Sequence, residues 1–147
     1  MFGEFTLSSG KKSDYYFDSK KLTMEPAGAR FVARHLVDYL DAEGIGYVGG
    51  VAYGAIPIVS QVVMLSGMRE DKPIRAFYHR KESKEHGTAA TAEGQFPPKG
   101  EPVAIVEDVV TTGGSLLASI QDAEEKGYNV THALTLVDAD EGQAVWR

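Results

Sequence analysis

The stretch Pro102–Ser115 reads P-V-A-I-V-E-D-V-V-T-T-G-G-S and gives the strongest indication of the fold. It opens with the apolar run 103–106, whose β-branched composition is typical of a strand buried on both faces. Apolar residues then recur at helical spacing at Leu116, Ile120 and Ala123. The stretch therefore predicts a strand, an acidic pair, a small polar turn and a helix, in that order.

The acidic pair and the turn together have a chemical use. Glycine at a helix N-terminus lets the backbone approach a ligand closely, and the unpaired N–H groups of the first turn suit a phosphate. The carboxylates of Glu107 and Asp108 accept hydrogen bonds, so they repel a phosphate and suit sugar hydroxyls. These groups predict a site for a ribose 5-phosphate. The competing interpretation is an ordinary strand-to-helix turn, in which glycine serves only the geometry. The stretch is neither a Walker A loop nor a G-x-G-x-x-G dinucleotide turn.

The composition is that of an ordinary globular protein of one domain. The chain has 147 residues, of which 43% are hydrophobic and 24% are charged, and it has no cysteine. The lack of cysteine excludes disulfides and thiolate metal sites and fits a reducing, cytoplasmic location. No apolar run approaches the roughly 18 residues of a membrane span. The net charge of -6 argues against a general nucleic-acid binder, so positive charge for a polyphosphate must be concentrated locally.

Predicted strands and helices alternate through most of the chain. Strands are predicted at residues 47–51, 74–78, 103–106 and 130–137, and helices are predicted to begin at Pro26, at Ile56 and directly after Ser115. This alternation predicts an α/β fold, with a mostly parallel sheet flanked by helices and right-handed crossovers. Ligands of such sheets bind beyond the carboxyl ends of the strands, where the acidic pair and the turn are expected to lie.

A basic run lies between two of the predicted strands. Residues 79–87 read H-R-K-E-S-K-E-H-G, and their potential cations are Arg80, Lys81, Lys84 and His86. Residues 88–99 show no helical or strand period and are predicted to be a mobile loop. A mixed-charge run is usually a solvated loop. Here it is locally basic in an acidic chain and precedes the strand of the phosphate turn, which favours a role in binding phosphates.

Two further segments each leave two interpretations open. Residues 5–18 contain a Ser-Gly turn and the aromatic cluster Tyr15, Tyr16 and Phe17. This cluster forms either the edge of a β-hairpin or an aromatic wall for a flat heterocycle. Residues 49–54 are a glycine-lined strand end, which fits either a backbone that contacts pyrophosphate or close packing of a strand against a helix.

Four segments resemble a known family, in that family's order along the chain. V-A-I-V-E-D-V-V-T-T-G-G-S at residues 103–115 resembles the phosphoribosyl-diphosphate (PRPP) signature of type I phosphoribosyltransferases. F-T-L-S-S-G-K-K-S-D-Y-Y-F-D at residues 5–18 resembles the segment that helps form the hood over the base in orotate phosphoribosyltransferases. G-V-A-Y-G-A-I-P at residues 50–57 resembles the family's pyrophosphate loop, and R-K-E-S-K-E-H-G at residues 80–87 resembles its catalytic loop.

The resemblance implies an orotate phosphoribosyltransferase, a pentosyltransferase that converts orotate and PRPP to orotidine 5′-monophosphate and pyrophosphate in pyrimidine biosynthesis. It implies catalytic roles for Lys84, His86 and Asp108, and base-site roles for Tyr16, Phe17 and Thr111. The implied PRPP-binding residues are Tyr53, Gly54, Arg80, Lys81, Lys84, His86, Glu107, Asp108, Val109, Val110, Thr111, Thr112, Gly113, Gly114 and Ser115. Magnesium is expected to arrive on PRPP rather than at a metal site of the protein. The expected assembly is a homodimer with shared active sites.

The resemblance also implies a domain layout, and the sequence departs from the family's pattern at three positions. A single phosphoribosyltransferase domain is expected over residues 1–147, with a hood segment at 1–20 and a PRPP-binding core at 45–137. Many bacterial members carry lysine where Ser8 stands, and some carry it where Gly54 stands. Members commonly carry an arginine for the orotate carboxylate where Ala139 stands. Another cation or backbone donors must then hold orotate, or the base differs.

Two questions therefore stay open, one about the extent of the chain and one about its function. The chain is expected to lack the family's first helix and its last helix–strand portion, and so to be a short member or a fragment. It is a transferase for orotate, a transferase for another base, or a PRPP-binding regulator without catalysis. The intact R-K-E-S-K-E-H-G run favours an enzyme, because a regulator has no need of it.

Overall fold

The computed structural model describes residues 2–6, 12–15, 17–69, 71–80 and 92–139, and before residue 17 it describes the backbone alone. The elements of these segments, in chain order, are β1 (Phe2–Thr6), β2 (Lys12–Tyr15), α1 (Lys20–Thr23), α2 (Pro26–Ala42), β3 (Tyr47–Val51), α3 (Ala55–Gly67), β4 (Arg75–His79), β5 (Ala92–Gly94), β6 (Pro102–Val110), α4 (Gly114–Glu125) and β7 (Asn129–Asp138).

The main sheet of the described chain has the strand order β5–β4–β3–β6–β7. Strands β4, β3, β6 and β7 run parallel, and β5 is antiparallel to β4. The chain passes from β3 to β4 on one side and later returns to place β6 on the other side. A topological switch point therefore lies between β3 and β6, where α/β sheets bind ligands. The predicted α/β fold with a mostly parallel sheet is confirmed.

Helices cover both faces of the sheet and create two cores. On one face, α2 and α3 pack with Val48, Ala104 and Val106. On the other face, α4 packs over Val103 and Ile105. Alternate residues of β6 thus enter different cores, as the period of two in a strand requires. Residues 103–106 have no exposed surface, which agrees with the prediction of a strand buried on both faces.

Helix α2 begins at Pro26, where the sequence predicts a helix start. The carboxylate of Glu25, at the N-cap, accepts the Gly28 N–H at 2.9 Å. This backbone hydrogen bond is the main reason that the pKa of Glu25 lies below its usual value. The chain leaves α2 through Gly44, whose φ of 68° is a left-handed conformation that favours glycine.

Several boundaries differ from the prediction by one or two residues, and two larger differences bear on the site. Strand β6 continues past residue 106 to Val110, so Glu107 and Asp108 belong to the strand instead of following it. The pairing of β6 with β7 extends to Val110↔Asp138, so backbone hydrogen bonds keep Glu107 and Asp108 in the strand although both are polar. The prediction that residues 88–99 contain no strand is wrong at β5. Three residues are too short to show a period, and β5 forms because β4 offers it an edge.

At the N-terminus, β1 and β2 pair antiparallel, which agrees with the hairpin interpretation of residues 5–18. Tyr16 lies outside the described residues, so the aromatic wall stays a prediction. In the segments that the structure describes, no helix combines the length and the hydropathy of a membrane span.

Candidate active site

The predicted site residues meet at one edge of the sheet. The carboxyl ends of β3, β4 and β6 lie side by side, since Val51 pairs with His79 and Gly50 pairs with Val106. This edge brings together residues 52–54, Arg80 and residues 107–115, from three of the four resembling segments. It is the edge at which ligands of parallel sheets bind. The predicted site residues Tyr16, Lys81, Lys84 and His86 lie outside the described residues.

The phosphate turn, residues 111–115, joins β6 to α4. Gly113 is the N-cap of α4 and has a φ of 78°, which a residue with a side chain disfavours. The first turn of α4 carries no acidic residue, so no carboxylate there opposes the positive end of the helix dipole. Thr112 and Ser115 are exposed and add hydroxyl groups. The turn therefore has the backbone geometry and the donors that an anion requires.

Glu107 and Asp108 project from opposite faces of β6, because adjacent residues of a strand alternate. Glu107 shares the α4 face with Ile105 and is only 7% exposed. Asp108 shares the α2–α3 face with Val106 and is half-buried. A sugar that contacts both carboxylates must therefore lie over the end of the strand.

Asp108 has two close neighbours from distant parts of the chain. The hydroxyl of Ser19, 89 residues earlier, donates a hydrogen bond to Asp108 Oδ2. A Cβ atom added to Gly54 would lie 2.1 Å from Asp108 Cγ. Sequence reasoning missed Ser19, because no local pattern distinguishes it from other serines.

Arg80 is held at the carboxyl end of β4 by Glu93. The Arg80 guanidinium donates to Glu93 Oε1, and the Tyr78 hydroxyl donates to Glu93 Oε2 at 2.7 Å. Tyr78 and Glu93 are cross-strand partners on β4 and β5. Sequence reasoning missed Glu93 as well, since it falls in the segment predicted to be a loop. The first cation of the basic run thus has a defined place beside the site.

A cavity of about 420 Å³ opens between α4 and the ends of β3 and β4. Its lining residues are Val51, His79, Arg80, Gly114, Ser115, Ala118, Ser119 and Asp122. His79 is buried, and its Nδ1 lies 2.7 Å from Asp122 Oδ2. Burial lowers the pKa of His79 below its usual value of 6.5, although the Asp122 carboxylate opposes this shift. Because Arg80, Gly114 and Ser115 line it, the cavity is continuous with the phosphate turn.

The predicted base-site residues are only partly described. Phe17 is 42% exposed and Thr111 is half-buried. The Ala139 N–H donates to the carbonyl oxygen of Val110 at 2.8 Å, so this backbone donor is already used inside the protein. The side chain of Val110 is buried in the α4-side core. Val110 therefore supports the turn without presenting its side chain to a ligand.

The glycine-lined end of β3 has a packing explanation for two of its glycines. A Cβ atom on Gly49 would lie 2.6 Å from Ile105 Cδ1, and one on Gly50 would lie 3.2 Å from Val59 Cγ1. The following turn contains a cis peptide bond between Ala52 and Tyr53, and Tyr53 is 80% exposed. Gly54 is the glycine of this segment that lies against a predicted ligand-binding side chain.

Comparison with known proteins supports the resemblance. Residues 19–147 match the phosphoribosyl transferase domain family. An orotate phosphoribosyltransferase of Bradyrhizobium sp. is 41% identical over 145 residues, which cover 97% of this chain and 78% of that protein.

Two solved structures are similar along the same length. The orotate phosphoribosyltransferase of Aeropyrum pernix superposes with a TM-score of 0.73 at 36% identity, over 97% of this chain and 77% of that one. The Mycobacterium tuberculosis orotate phosphoribosyltransferase in complex with PRPP superposes with a TM-score of 0.72 at 29% identity, over 94% of this chain and 75% of that one. Fold, motif order and sequence identity thus agree, and the chain belongs to the orotate phosphoribosyltransferase family.

Proposed function

We propose that this chain transfers the 5-phosphoribosyl group of PRPP to orotate, giving orotidine 5′-monophosphate and pyrophosphate in pyrimidine biosynthesis. The observation that carries the proposal is the placement of the phosphate turn at the start of α4, directly after the carboxylates of Glu107 and Asp108. The hydrogen-bond donors for the phosphate and the carboxylate acceptors for the sugar hydroxyls then lie a few residues apart at the ligand-binding edge of the sheet. The Mycobacterium tuberculosis relative of the same fold was solved with PRPP.

The reaction breaks the bond between ribose C1 and the pyrophosphate oxygen and forms a bond between C1 and a ring nitrogen of orotate, which gives up its proton to the released pyrophosphate or to solvent. Positive charge develops on the ribose and negative charge on the leaving pyrophosphate. Catalysis is then mainly electrostatic. In this proposal Lys84 stabilises the leaving group, while Arg80, Lys81 and His86 clamp it. These roles rest on the resemblance of residues 80–87 to the family's catalytic loop.

Binding of PRPP has a consequence for Arg80. Its guanidinium is paired with Glu93, so pyrophosphate either joins this pair or takes the guanidinium from it. A guanidinium has five N–H donors in a planar fork and serves two acceptors without losing the first. We propose that Glu93 keeps Arg80 at the mouth of the cavity while pyrophosphate binds its remaining donors.

Magnesium fits this site as a companion of PRPP. In the described residues, no three carboxylate or imidazole side chains converge on one point. Magnesium usually keeps several waters and binds through substrate phosphates, so PRPP itself would supply most of its ligands while Glu107 and Asp108 hold the ribose. When bound, it neutralises part of the diphosphate charge. The proposal further includes a homodimer with shared active sites and a cytoplasmic location.

The base in this proposal is orotate. Tyr16, Phe17 and Thr111 are the proposed contacts, and Ala139 stands where relatives carry the orotate-binding arginine. The test is the loss of orotate absorbance when protein, PRPP and magnesium are combined. Use of adenine, hypoxanthine or uracil in place of orotate would move the assignment to another base. Binding of PRPP without turnover of any base would favour the regulator.

The role of Asp108 can be tested separately from turnover. Asparagine keeps the size of the side chain but loses its charge and half of its acceptor capacity. We expect Asp108→Asn to weaken PRPP binding about tenfold or more, in line with a hydrogen bond to a charged group. Calorimetry with PRPP and magnesium measures the affinity, and a thermal melt of the free protein checks the fold.

The matched control is Asp38→Asn. Asp38 is exposed on α2 and pairs with Arg34 at 2.9 Å, so its loss should leave PRPP affinity unchanged. If Asp108→Asn binds PRPP as tightly as the wild type, Asp108 does not hold the ribose. A large fall in melting temperature would mark the carboxylate as structural.

A further inference from the structure

The carboxylate of Asp108 has two close neighbours, Ser19 and Gly54, that limit where it can lie. Ser19 Oγ donates a hydrogen bond to Asp108 Oδ2, and Ser19 is 1% exposed. Gly54 lies against the same carboxylate from the start of α3. The three residues come from three separate segments of the chain, which meet only in the folded protein.

The hydroxyl of Ser19 is not used for local structure. Ser19 is the N-cap of α1, a position at which serine ordinarily accepts a backbone N–H from two or three residues further on. Here the side chain makes no capping hydrogen bond, and the backbone of Ser19 is already helical, with φ -56° and ψ -29°. The described contact of the hydroxyl is the one to Asp108. The Ser19 hydroxyl therefore forms a hydrogen bond with Asp108 instead of capping α1.

The space beside Gly54 is filled by the Asp108 carboxylate. Its φ of -64° and ψ of -35° suit any residue, so backbone conformation does not call for glycine. An added Cβ would lie 2.1 Å from Asp108 Oδ1 and 2.2 Å from Oδ2, far inside van der Waals contact. The carboxylate occupies the place that a side chain at position 54 would take.

We propose that Ser19 is a positioning residue for Asp108 and that the missing side chain at Gly54 leaves the carboxylate room to be held in this place. The inference rests on the proposed function, in which Asp108 accepts a hydrogen bond from a ribose hydroxyl. With Oδ2 fixed by Ser19, Oδ1 is presented in one orientation before PRPP arrives. The side chain then loses little freedom on binding, which raises affinity. Because Ser19 follows Phe17 closely, the same hydrogen bond ties the proposed base-side segment to the ribose acceptor.

The test measures PRPP affinity in the presence of magnesium and the absence of orotate. Ser19→Ala removes the donor and should weaken PRPP binding about threefold to tenfold, the cost of ordering one side chain on binding. Ser66→Ala is the matched control. Ser66 is also a fully buried serine, and its hydroxyl accepts the Ile74 N–H at 3.0 Å. Its loss should lower the melting temperature and leave PRPP affinity unchanged.

Gly54→Ala tests the same idea without touching the hydroxyl. The added methyl group must displace the Asp108 carboxylate, so PRPP affinity should fall by a similar factor. Gly67→Ala, at the other end of α3, has open space around its Cβ and serves as the control. This second variant keeps the proposal testable if Ser19→Ala does not fold.

Repeating both changes in an Asp108→Ala background separates a positioning role from a general structural one. Without the carboxylate there is nothing to position, so Ser19→Ala and Gly54→Ala should no longer alter PRPP affinity. If either effect persists at full size, that residue acts on its own and the positioning role is overturned. If Asp108→Ala itself binds PRPP like the wild type, the proposed ribose role fails instead. Wild-type affinity in both single variants, with Asp108→Ala impaired, overturns the inference alone.

Discussion

At the scale of single residues, His79 is a buried titratable group at the start of the basic run. Its ring packs edge-on against Phe77, with centroids 5.3 Å apart, and its Nδ1 faces the Asp122 carboxylate. Asp122 also pairs with Lys126, which partly offsets its attraction for a protonated imidazole. With its pKa lowered by burial, the ring is neutral near pH 7 and donates its Nδ1–H to Asp122. Protonation of His79 therefore favours the unfolded chain.

This arrangement predicts a pH dependence of stability. The folded pKa of His79 is below its unfolded value of 6.5, so the unfolded state binds more protons between these two values. The free energy of unfolding should fall as pH is lowered below about 6.5, by at most about 1.4 kcal/mol per pH unit from this group. The loss should level off below the folded pKa. Urea unfolding of the wild type and His79→Gln between pH 8 and 5 measures the difference.

The companion variant is Asp122→Asn, which removes the carboxylate that favours the protonated ring. The pKa of His79 should then fall further, and the loss of stability should extend to lower pH. Equal slopes in the wild type and in His79→Gln would contradict a titrating role for the buried ring.

Lys84 is the residue on which the proposed catalysis depends most. Lys84→Ala should lower turnover by about 10²–10³, because it removes charge stabilisation that is needed only in the transition state. PRPP affinity should change much less. Steady-state kinetics at saturating substrates measures turnover, and Arg34→Ala, which removes an exposed cation on α2, is the control. Turnover near that of the wild type would contradict the proposed role of Lys84.

The residues that sequence reasoning found and missed differ in a physical way. Gly113 and Asp108 lie in one continuous motif, where spacing alone places the groups together. Ser19 and Glu93 act through partners in other segments, and nothing in the local sequence marks a serine or a glutamate for such contacts. Charge pattern indicated Arg80 as a cation but not the carboxylate that holds it.

At the scale of elements, β5 is a short strand with a functional position. It carries Glu93, and it is fixed to β4 through Phe77↔Gly94, Tyr78↔Glu93 and His79↔Ala92. Gly94 has a φ of 124°, and an added Cβ would lie 2.6 Å from the carbonyl oxygen of Ala76. Both conformation and space therefore require glycine there.

Gly94→Ala should destabilise this edge of the sheet. We expect the free energy of unfolding to fall by about 1–3 kcal/mol, the range for one strained backbone position. Gly46→Ala, with open space around its Cβ and an ordinary φ, should change stability by less than about 0.5 kcal/mol. Denaturant unfolding of both variants provides the comparison. A stable Gly94→Ala protein would mean that β5 pairs with β4 only weakly.

Elements were predictable where burial gives a clear period. The sequence places β3 at the residues that form it, and it places α2 from the proline at its start. Helix α1 and strand β5 have four and three residues, so hydrophobic periodicity has nothing to act on. They form because the rest of the fold offers them hydrogen-bond partners. Longer elements can thus be predicted from their own sequence, whereas very short ones depend on tertiary contacts.

At the scale of the whole molecule, positive charge is unevenly distributed along the chain. The chain has a net charge of -6, while its densest cations lie at residues 80–86. The proposed homodimer would let residues 80–87, which resemble the family's catalytic loop, act on the PRPP of the neighbouring subunit. A two-fold interface presents the same surface from both subunits, so one contact delivers two loops.

Subunit mixing tests the proposed sharing of active sites. Lys84→Ala lacks the loop cation and Asp108→Asn lacks the ribose acceptor, so each homodimer should be impaired. If the loop acts across the interface, one site of each hybrid carries both defects and the other carries none. Equal mixing should then restore up to about one quarter of wild-type activity for random pairing.

The alternatives give different results. If each loop serves its own subunit, every site keeps one defect and mixing restores nothing. Light scattering at the working concentration reports the assembly directly, and a monomer there would contradict shared sites.

The strand order of the sheet also determines when the site comes into existence during folding. β3 and β4 follow one another along the chain, whereas β6 pairs with β3 only after a long loop has closed. Closing such a loop costs chain entropy, which makes non-local parallel pairing slow. Gly54 follows β3 and Asp108 lies near the end of β6, so the two residues come together only when these strands pair. Neither strand therefore contains the site alone, and a ligand that contacts residues at the ends of both β3 and β6 stabilises only the state in which the two strands are paired.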